Sequence, residues 1–412
     1  MEIESLVQVN VIDLQFGMYV AELDRPWLET PFLFQGFKVS DQEEIDKLQE
    51  LCTYVYVDTT LGIRPTSSMI REDVSLNSAD ENTAHKLDNK NNLDLALVPI
   101  EKEIGVAKKA REELHAVVDN VMSDIQAGKS IQLPELQEAV TPMVDSVLRN
   151  SDASMWLAMM KRKDNYTYTH ALNVSVLAIK LGRQLGYSAK ELKSLAMGAM
   201  LFDVGKVKLP PELLQQPRRL TEDEFEIIKR HVDYGIDIVR DTTHTDNTVQ
   251  HMVQHHHERF NGKGYPNGLM EDQIPIHGRI AAIIDCFDAI TTDRVYCDSM
   301  SPYHAIEKLY EWRDVDFQAA LVEQFIQAIG IYPTGTIVEL STGDIGVIIA
   351  QNPVRRLKPK VMLVLNSDKE SDGAFPIFDL LTDTTDSKGN ELKIIRAHEP
   401  GAFGIDPDDF YL

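Results

Sequence analysis

Residues 249–266, VQHMVQHHHERFNGKGYP, begin as an amphipathic helix and end as something else. Val249, Met252 and Val253 recur at the i, i+3, i+4 spacing that lines one helix face. That stripe runs straight into His256 and His257, whereas His255 falls off it by the 100° advance per residue and reads as a rim position. An imidazole on an apolar face needs a partner, because a polar group removed from water without one costs free energy. Beyond the histidines, Gly262, Gly264 and Pro266 bar any continuation of the helix.

The neighbouring helices repeat the anomaly. From about Thr167 to Leu185, closed by Gly186, the residues Val174, Leu177, Ala178, Leu181 and Leu185 form a stripe, and His170 lies one turn before Val174. Ser188 with Glu191 forms a capping box. In the helix it opens, Leu192, Leu195, Ala196 and Ala199 face inward and Asp203 extends that face. Thr221 and Glu224 cap a third helix, where His231 sits beside Ile227 and Ile228. Downstream, Ile280 to Ile290 is apolar almost all round yet carries Asp285 and Asp288.

Taken singly, an inward histidine is most simply a hydrogen-bonded core residue, and an inward aspartate a cap or ion-pair partner. Together, His170, Asp203, His231, His256, His257 and Asp285 lie on or beside buried faces of five successive helices. Mixed imidazole and carboxylate donors without cysteine suit iron or manganese, and also zinc, better than calcium. A multinuclear metal site is the expectation.

Composition bounds the rest. A chain of 412 residues exceeds one compact core and implies two or three domains. Its formal net charge of −24 repels phosphates, which argues against a general DNA-binding or anionic-membrane surface. An anionic substrate would need a locally positive site, and bound cations would supply one. No apolar run approaches a membrane span, and Met1-Glu2-Ile3-Glu4 lacks the basic start of a signal peptide, so a soluble cytoplasmic protein is expected. Cys52, Cys286 and Cys297 form neither a metal spacing nor a disulfide framework.

Residues 1–60 read as a small α+β domain. Strands are expected over Leu6–Leu14, Met18–Leu23 and Tyr54–Val57, with a turn at Gly17 and a helix opened by Ser40 and Glu43 that runs through Leu51. The aromatic connection from Pro26 to Phe34 reads as local core, with a docking surface as the alternative. Residues 61–96 turn polar and read as a flexible linker. Connecting helices follow over 97–145, and the helices with the histidines and aspartates over 146–332. After Pro333 and Gly335, the runs Thr336–Leu340, Ile345–Ala350 and Lys360–Leu365 make 333–412 a β-rich extension.

Four motifs carry a family resemblance. Tyr166-Thr167-Tyr168-Thr169-His170, Asp203-Val204-Gly205-Lys206, the run from His256 to Pro266, and Asp285-Cys286-Phe287-Asp288-Ala289 stand in the order and spacing of the HD-GYP family. That family comprises metal-dependent hydrolases of the bacterial second messenger cyclic di-GMP. Residues 1–60 likewise resemble a domain of unknown function that often precedes HD-GYP domains. The resemblance implies a mainly α protein: an HD-superfamily helical bundle at 146–332, with the small α+β domain before it and the β-rich extension after it.

It also implies two divalent transition metals, iron or manganese first and zinc as an option, that share a bridging Asp203. His231, His256 and His257 would complete one site. His170 and Asp285 would complete the other, with a histidine immediately before the shared aspartate. A water deprotonated between the cations would attack phosphorus, and Lys206 would hold the phosphate or assist the leaving group. Gly264, Tyr265 and Pro266 of the namesake loop, with Arg294, would engage guanine and phosphate.

The chain departs from the pattern where it matters most. The namesake His-Asp pair is Phe202-Asp203 here, and phenylalanine cannot ligate a metal. One site keeps four donors; the other keeps His170, Asp203 and Asp285. Tyr166 stands where some relatives carry a third-metal carboxylate, and Cys297 where a basic residue is common. Two functions stay open: a phosphodiesterase that cuts cyclic di-GMP to linear pGpG, with GMP as an onward product, or a catalytically impaired adaptor that binds the nucleotide or a protein. A hydrolase of another nucleotide is disfavoured by the intact loop. Partners implied by resemblance are cyclic di-GMP, diguanylate cyclase (GGDEF) proteins docking on the Gly-Tyr-Pro surface, and a second copy of the chain.

Overall fold

The computed structural model describes residues 6–24, 37–39, 42–59, 62–66, 97–159, 166–214, 216, 218–242, 246–292, 299–352, 355–371, 373–386, 389 and 391–405. Most of the expected linker, the Pro26–Phe34 connection, Ser40, Arg294, Cys297 and the side chain of Tyr166 lie outside the described residues. The chain divides into two compact units, Met1–Asn92 with Val354–Arg356, and Leu93–Pro353 with Leu357–Leu412.

In the first unit, β1 (Leu6–Asn10), β2 (Tyr19–Leu23), β3 (Phe37–Lys38) and β4 (Tyr54–Asp58) form an antiparallel sheet in the order β1-β4-β2-β3, with helix α1 (Gln42–Leu51). Val55 and Val57 alternate inward along β4 and meet Val9, Met18, Val20 and Leu48 in the core. The first strand is shorter than its sequence suggests. The Asn10 side chain accepts from the Ile12 amide at 3.1 Å and turns Val11–Asp13 into a 3₁₀ segment, so pairing stops at Asn10 rather than Leu14. Attachment also runs past residue 60, because the Ile63 amide donates to the Gly17 carbonyl at 2.7 Å.

The second unit is mainly helical. Helices α2 (Ile100–Gln126) and α3 (Leu133–Arg149) lead into α4 (Ser151–Met159), α5 (Tyr166–Gln184) and α6 (Ala189–Leu201). A 3₁₀ turn at Val204–Lys208 and the short α7 (Pro211–Leu214) follow. Then come α8 (Glu222–Lys229), α9 (His231–Arg240), α10 (Asn247–His255), α11 (Ile276–Ile290), α12 (Pro302–Glu311) and α13 (Ala319–Ile329). Both capping boxes form: Ser188 with Glu191 opens α6, and Thr221 with Glu224 opens α8.

The segment read as connecting helices does more than connect. Leu114, Val118, Met122 and Ile125 of α2, and Leu136, Val140, Val144 and Val147 of α3, join the same apolar core as α5, α6, α10 and α11. A buried Glu103 holds the two helices together, accepting from Ser146 at 2.7 Å and from Arg149 at 2.8 Å.

Strands β5 (Ile337–Leu340), β6 (Ile345–Ala350), β7 (Lys360–Leu365), β8 (Ile377–Asp379) and β9 (Ile394–His398) form an antiparallel sheet in the order β8-β7-β6-β5-β9. Trp156 of α4, only 1% exposed, packs with Ile337, Ile345, Val347 and Met362, so this sheet belongs to the helical unit. Asp152 adds a polar seam, accepting from the Gln351 amide at 3.0 Å and from Lys180 at 3.2 Å. No helix among the described residues is long and apolar enough to cross a membrane.

Candidate metal centre

The donors collect where helices end. Helix α6 stops at Leu201, Phe202 caps it, and Asp203 heads the 3₁₀ turn rather than extending the helix. Gly205 seats that turn against α9: a Cβ there would lie 1.9 Å from the His231 carbonyl oxygen and 2.5 Å from the Gly235 nitrogen. The third helix read from sequence is two, broken at Arg230, and His231 opens the second. His256 and His257 sit in the turn that ends α10.

Hydrogen-bond polarity fixes which nitrogens face inward. A carbonyl oxygen can only accept, so His231 donates Nδ1–H to Ile228 at 2.7 Å, and His256 donates Nδ1–H to Val253 at 3.0 Å. A neutral ring so held presents its Nε2 lone pair on the other side, and those two nitrogens are 3.1 Å apart. Asp203 Oδ1 is 3.4 Å from His231 Nε2 and 3.7 Å from His256 Nε2, and it is buried without a hydrogen-bond partner. Two lone pairs and a carboxylate oxygen aimed at one point repel unless a cation lies among them. With His257, the four residues present ligand atoms within 4.8 Å of one another. This donor set fits a divalent first-row metal.

Protonation favours ligation. Burial pushes His231 down to about 4 and His257 well below the usual histidine range, which keeps both neutral and able to bind metal. Burial works against charge on Asp203 as well, but Lys206 at 2.5 Å and the surrounding imidazoles outweigh it and hold the carboxyl well below its usual range. Lys206 is therefore bound to the Asp203 carboxylate, half-buried beside it.

The second half of the site is built around His170. Its Nε2 lies 3.5 Å from Asp203 Oδ2 and 3.3 Å from Asp285 Oδ1, while Nδ1 donates to Asp288 at 2.7 Å. Burial opposes its charge, yet hydrogen bonds to Asp285 and Asp288 prevail and lift it to about 9. Phe202 is fully buried between the two halves, stacked on His256 at 4.8 Å and edge-on to His170 at 5.7 Å.

The loop after the histidines is stapled from below. Glu258, 1% exposed, accepts from the amides of Asn267 at 2.8 Å and Leu269 at 3.0 Å. Gly264 allows the loop to fold on itself, since a Cβ there would lie 2.3 Å from the Arg259 nitrogen. Tyr265 stacks on His257 at 4.6 Å, which already engages one face of a ring read as a nucleotide platform. Phe225 lies edge-on to Tyr265 at 6.1 Å, and Lys229 stands 5.5 Å from the Tyr265 centroid. Pro266 is exposed at the tip.

A family model described as an HD domain matches residues 151–321, and one described as a domain of unknown function (DUF3391) matches residues 6–136. A cyclic di-GMP phosphodiesterase of Pseudomonas aeruginosa is 31% identical over 364 residues, spanning 88% of this chain and 86% of the relative. The chain belongs to the HD-GYP family. A second HD-GYP relative, a cyclic di-GMP phosphodiesterase response regulator of Xanthomonas campestris, is 30% identical over 220 residues, covering 52% of this chain and 58% of its own. A 3'3'-cGAMP-specific phosphodiesterase of Vibrio cholerae is 32% identical over 169 residues, covering 41% of this chain and 32% of its own.

For this HD-GYP chain, all six residues read as ligands converge, as does Lys206. Among the described residues, His255 is misplaced. It is not on the rim but buried, because Gly278 lets α11 close on α10 to the point where a Cβ would lie 2.5 Å from His255 Cβ. Asp288, Asn173 and Glu258 were passed over as site residues. Asp288 had a readable signal, since it stands one turn after Asp285 on an otherwise apolar helix. Glu258 stood inside the motif run from His256 to Pro266, and Asn173 had no such signal.

Proposed function

We propose that this chain is a metal-dependent phosphodiesterase that hydrolyses cyclic di-GMP to linear pGpG. The observation that carries the reading is the pair of Nε2 atoms 3.1 Å apart that face the buried Asp203 Oδ1, which has no hydrogen-bond partner. Two divalent metals, iron or manganese before zinc, would be held by Asp203, His231, His256 and His257 on one side, and by His170, Asp203 and Asp285 on the other. Bound cations supply the Lewis acidity that makes water a nucleophile near neutral pH and neutralise charge on phosphorus. Neutral His231 and His257 hold their lone pairs toward that point, and Lys206 is placed to take up phosphate charge once cations share its hold on Asp203. Gly264, Tyr265 and Pro266, with Arg294, would receive the nucleotide. The names of the relatives support the substrate class.

Phe202 supports a second reading, a cyclic di-GMP-binding adaptor, because a fully buried ring stacked on His256 occupies the place of a ligand. Onward cleavage to GMP, docking of diguanylate cyclases on the loop, dimerisation and cytoplasmic residence belong to the same proposal. The test is hydrolysis of cyclic di-GMP, with 3'3'-cGAMP alongside, by protein loaded with Mn, Fe or Zn. Turnover of cyclic di-GMP upholds the enzyme. Tight binding without turnover at any metal concentration upholds the adaptor.

A further inference from the structure

A buried chain of hydrogen bonds runs from the His170 half of the site to a helix outside the matched HD segment. Asp288 Oδ2 accepts from His170 Nδ1 at 2.7 Å, and its Oδ1 accepts from Asn173 Nδ2 at 3.3 Å. Asn173 Oδ1 in turn accepts from Arg111 Nη2 at 2.8 Å. Asn173 and Asp288 are both 0% exposed. Arg111 is on α2, inside the residues 6–136 matched by the domain of unknown function and before the HD match at 151–321.

Polarity gives this chain a direction. A guanidinium only donates, so it dictates that Asn173 turns its oxygen toward α2 and its NH₂ toward Asp288. A carboxylate only accepts, so Asp288, held by Asn173, takes Nδ1–H from His170 and turns Nε2 toward Asp203 and Asp285, the nitrogen a metal would bind on displacing its proton. Arg111 is costly where it stands. Its second terminal nitrogen, Nη1, is buried with no hydrogen-bond partner, which an apolar side chain of similar length would avoid. A half-buried guanidinium that leaves one nitrogen sealed off without a partner is best explained by what its other nitrogen orients.

We propose that Arg111 is a positioning residue for the His170 metal site, acting through Asn173 and Asp288. The long helix preceding the HD segment is thereby a working part of the centre. Residues that orient a metal-binding histidine through its other nitrogen commonly change metal affinity by about 10–100-fold.

The proposal rests on the metal reading of the site but not on which phosphodiester is cut. Arg111→Met removes the guanidinium at similar length, and Arg111→Lys keeps a donor. Metal content and affinity are measured by elemental analysis and competition titration with Mn²⁺, and ligand geometry by the visible absorption of the Co²⁺-loaded protein. All are carried out in the wild type and in the Phe202→His background, where a histidine is restored to the second site. Arg111→Met is expected to keep the first metal, to weaken the second about tenfold, and to alter the Co²⁺ spectrum. Arg111→Lys should recover at least part of the affinity. In a double-mutant cycle, Arg111→Met should add nothing to Asp288→Asn. Wild-type metal binding and a Co²⁺ spectrum that Arg111→Met leaves unchanged, or effects of the two substitutions that simply add, would overturn it. A wild type that binds no Mn²⁺ or Co²⁺ would instead overturn the metal reading itself.

Discussion

At the scale of single residues, Asp203 and Phe202 carry opposite messages. Asp203 touches both halves of the centre, so Asp203→Asn should abolish metal binding altogether, whereas His170→Ala should remove one metal and spare the other. Elemental analysis of the two variants checks this, and equal, complete loss in both would contradict the shared-carboxylate assignment. Phe202→His should tighten the second metal and raise turnover, and the wild type should reach full rate only with added Mn or Fe. The reversion has a structural cost, because the phenyl ring is fully buried against His256 and a smaller, polar ring fills that space less well. A loss of about 1–3 kcal/mol in the metal-free state is expected, read as a lower melting temperature that metal restores. Fast metal-independent turnover in the wild type, unchanged in a folded Phe202→His, would show that this position is not a lost ligand.

Among individual residues, the converging donors are legible because an imidazole or carboxylate on an apolar stripe is an anomaly that spacing exposes. His255 misled for the complementary reason. Helical periodicity describes one helix, and its burial depends on how closely a second helix approaches at Gly278. Tyr265 was placed in the correct loop, but its stacking on His257 depends on a loop path that no periodicity encodes.

At the scale of elements, the centre depends on the seating of short turns against helices. Gly205→Ala would drive a methyl group into the His231 carbonyl and the Gly235 amide, so the 3₁₀ turn must lift away from α9 and take Asp203 with it. A stability loss of at least about 1–3 kcal/mol is expected together with loss of metal. A Gly205→Ala protein that melts normally and binds metal normally would show that the turn has slack.

The α10–α11 seam makes a prediction about acid. Burial, reinforced by the nearby charge of His251 and His256, pushes His255 down to about 4. The unfolded chain therefore binds the extra proton first. His255 contributes stability that is fully present above about pH 6.5 and is lost as pH falls toward about 4. His255→Gln should flatten the fall in melting temperature between those limits. An identical pH profile in the variant would mean that His255 is not the group responsible.

For the whole molecule, the division into units is sharper than the polar composition of residues 61–96 alone conveys. A protein beginning at Leu93 keeps the Leu97 amide bond to the Arg149 carbonyl at 2.8 Å and should retain fold and metal. A start at Ser151, the edge of the HD match, should fail. It strips away α2 and α3, exposing Leu114, Val118, Leu136, Val140 and Val144, each worth about 1.5–3 kcal/mol of burial. Solubility and metal content of the two truncations check both statements; a soluble, metal-binding protein from Ser151 would show that α2 and α3 are dispensable. The run of strands, helices and strands along the chain could be read from periodicity, and the helical bundle from the resemblance its motifs carry. That α2 and α3 wall the core could not, because an amphipathic stripe shows that a face is buried without showing against what.

The C-terminal sheet closes over the indole of Trp156, at the junction where its strands meet α4. A tryptophan sealed in hydrocarbon emits to the blue, and its light moves red once water reaches it. With Trp27 and Trp312 replaced by Phe, the chain carries its own optical gauge of whether sheet and helices are joined. A single, cooperative red shift on heating would mean that they come apart as one body, and a shift that precedes the loss of helical ellipticity would mean that the sheet peels away first.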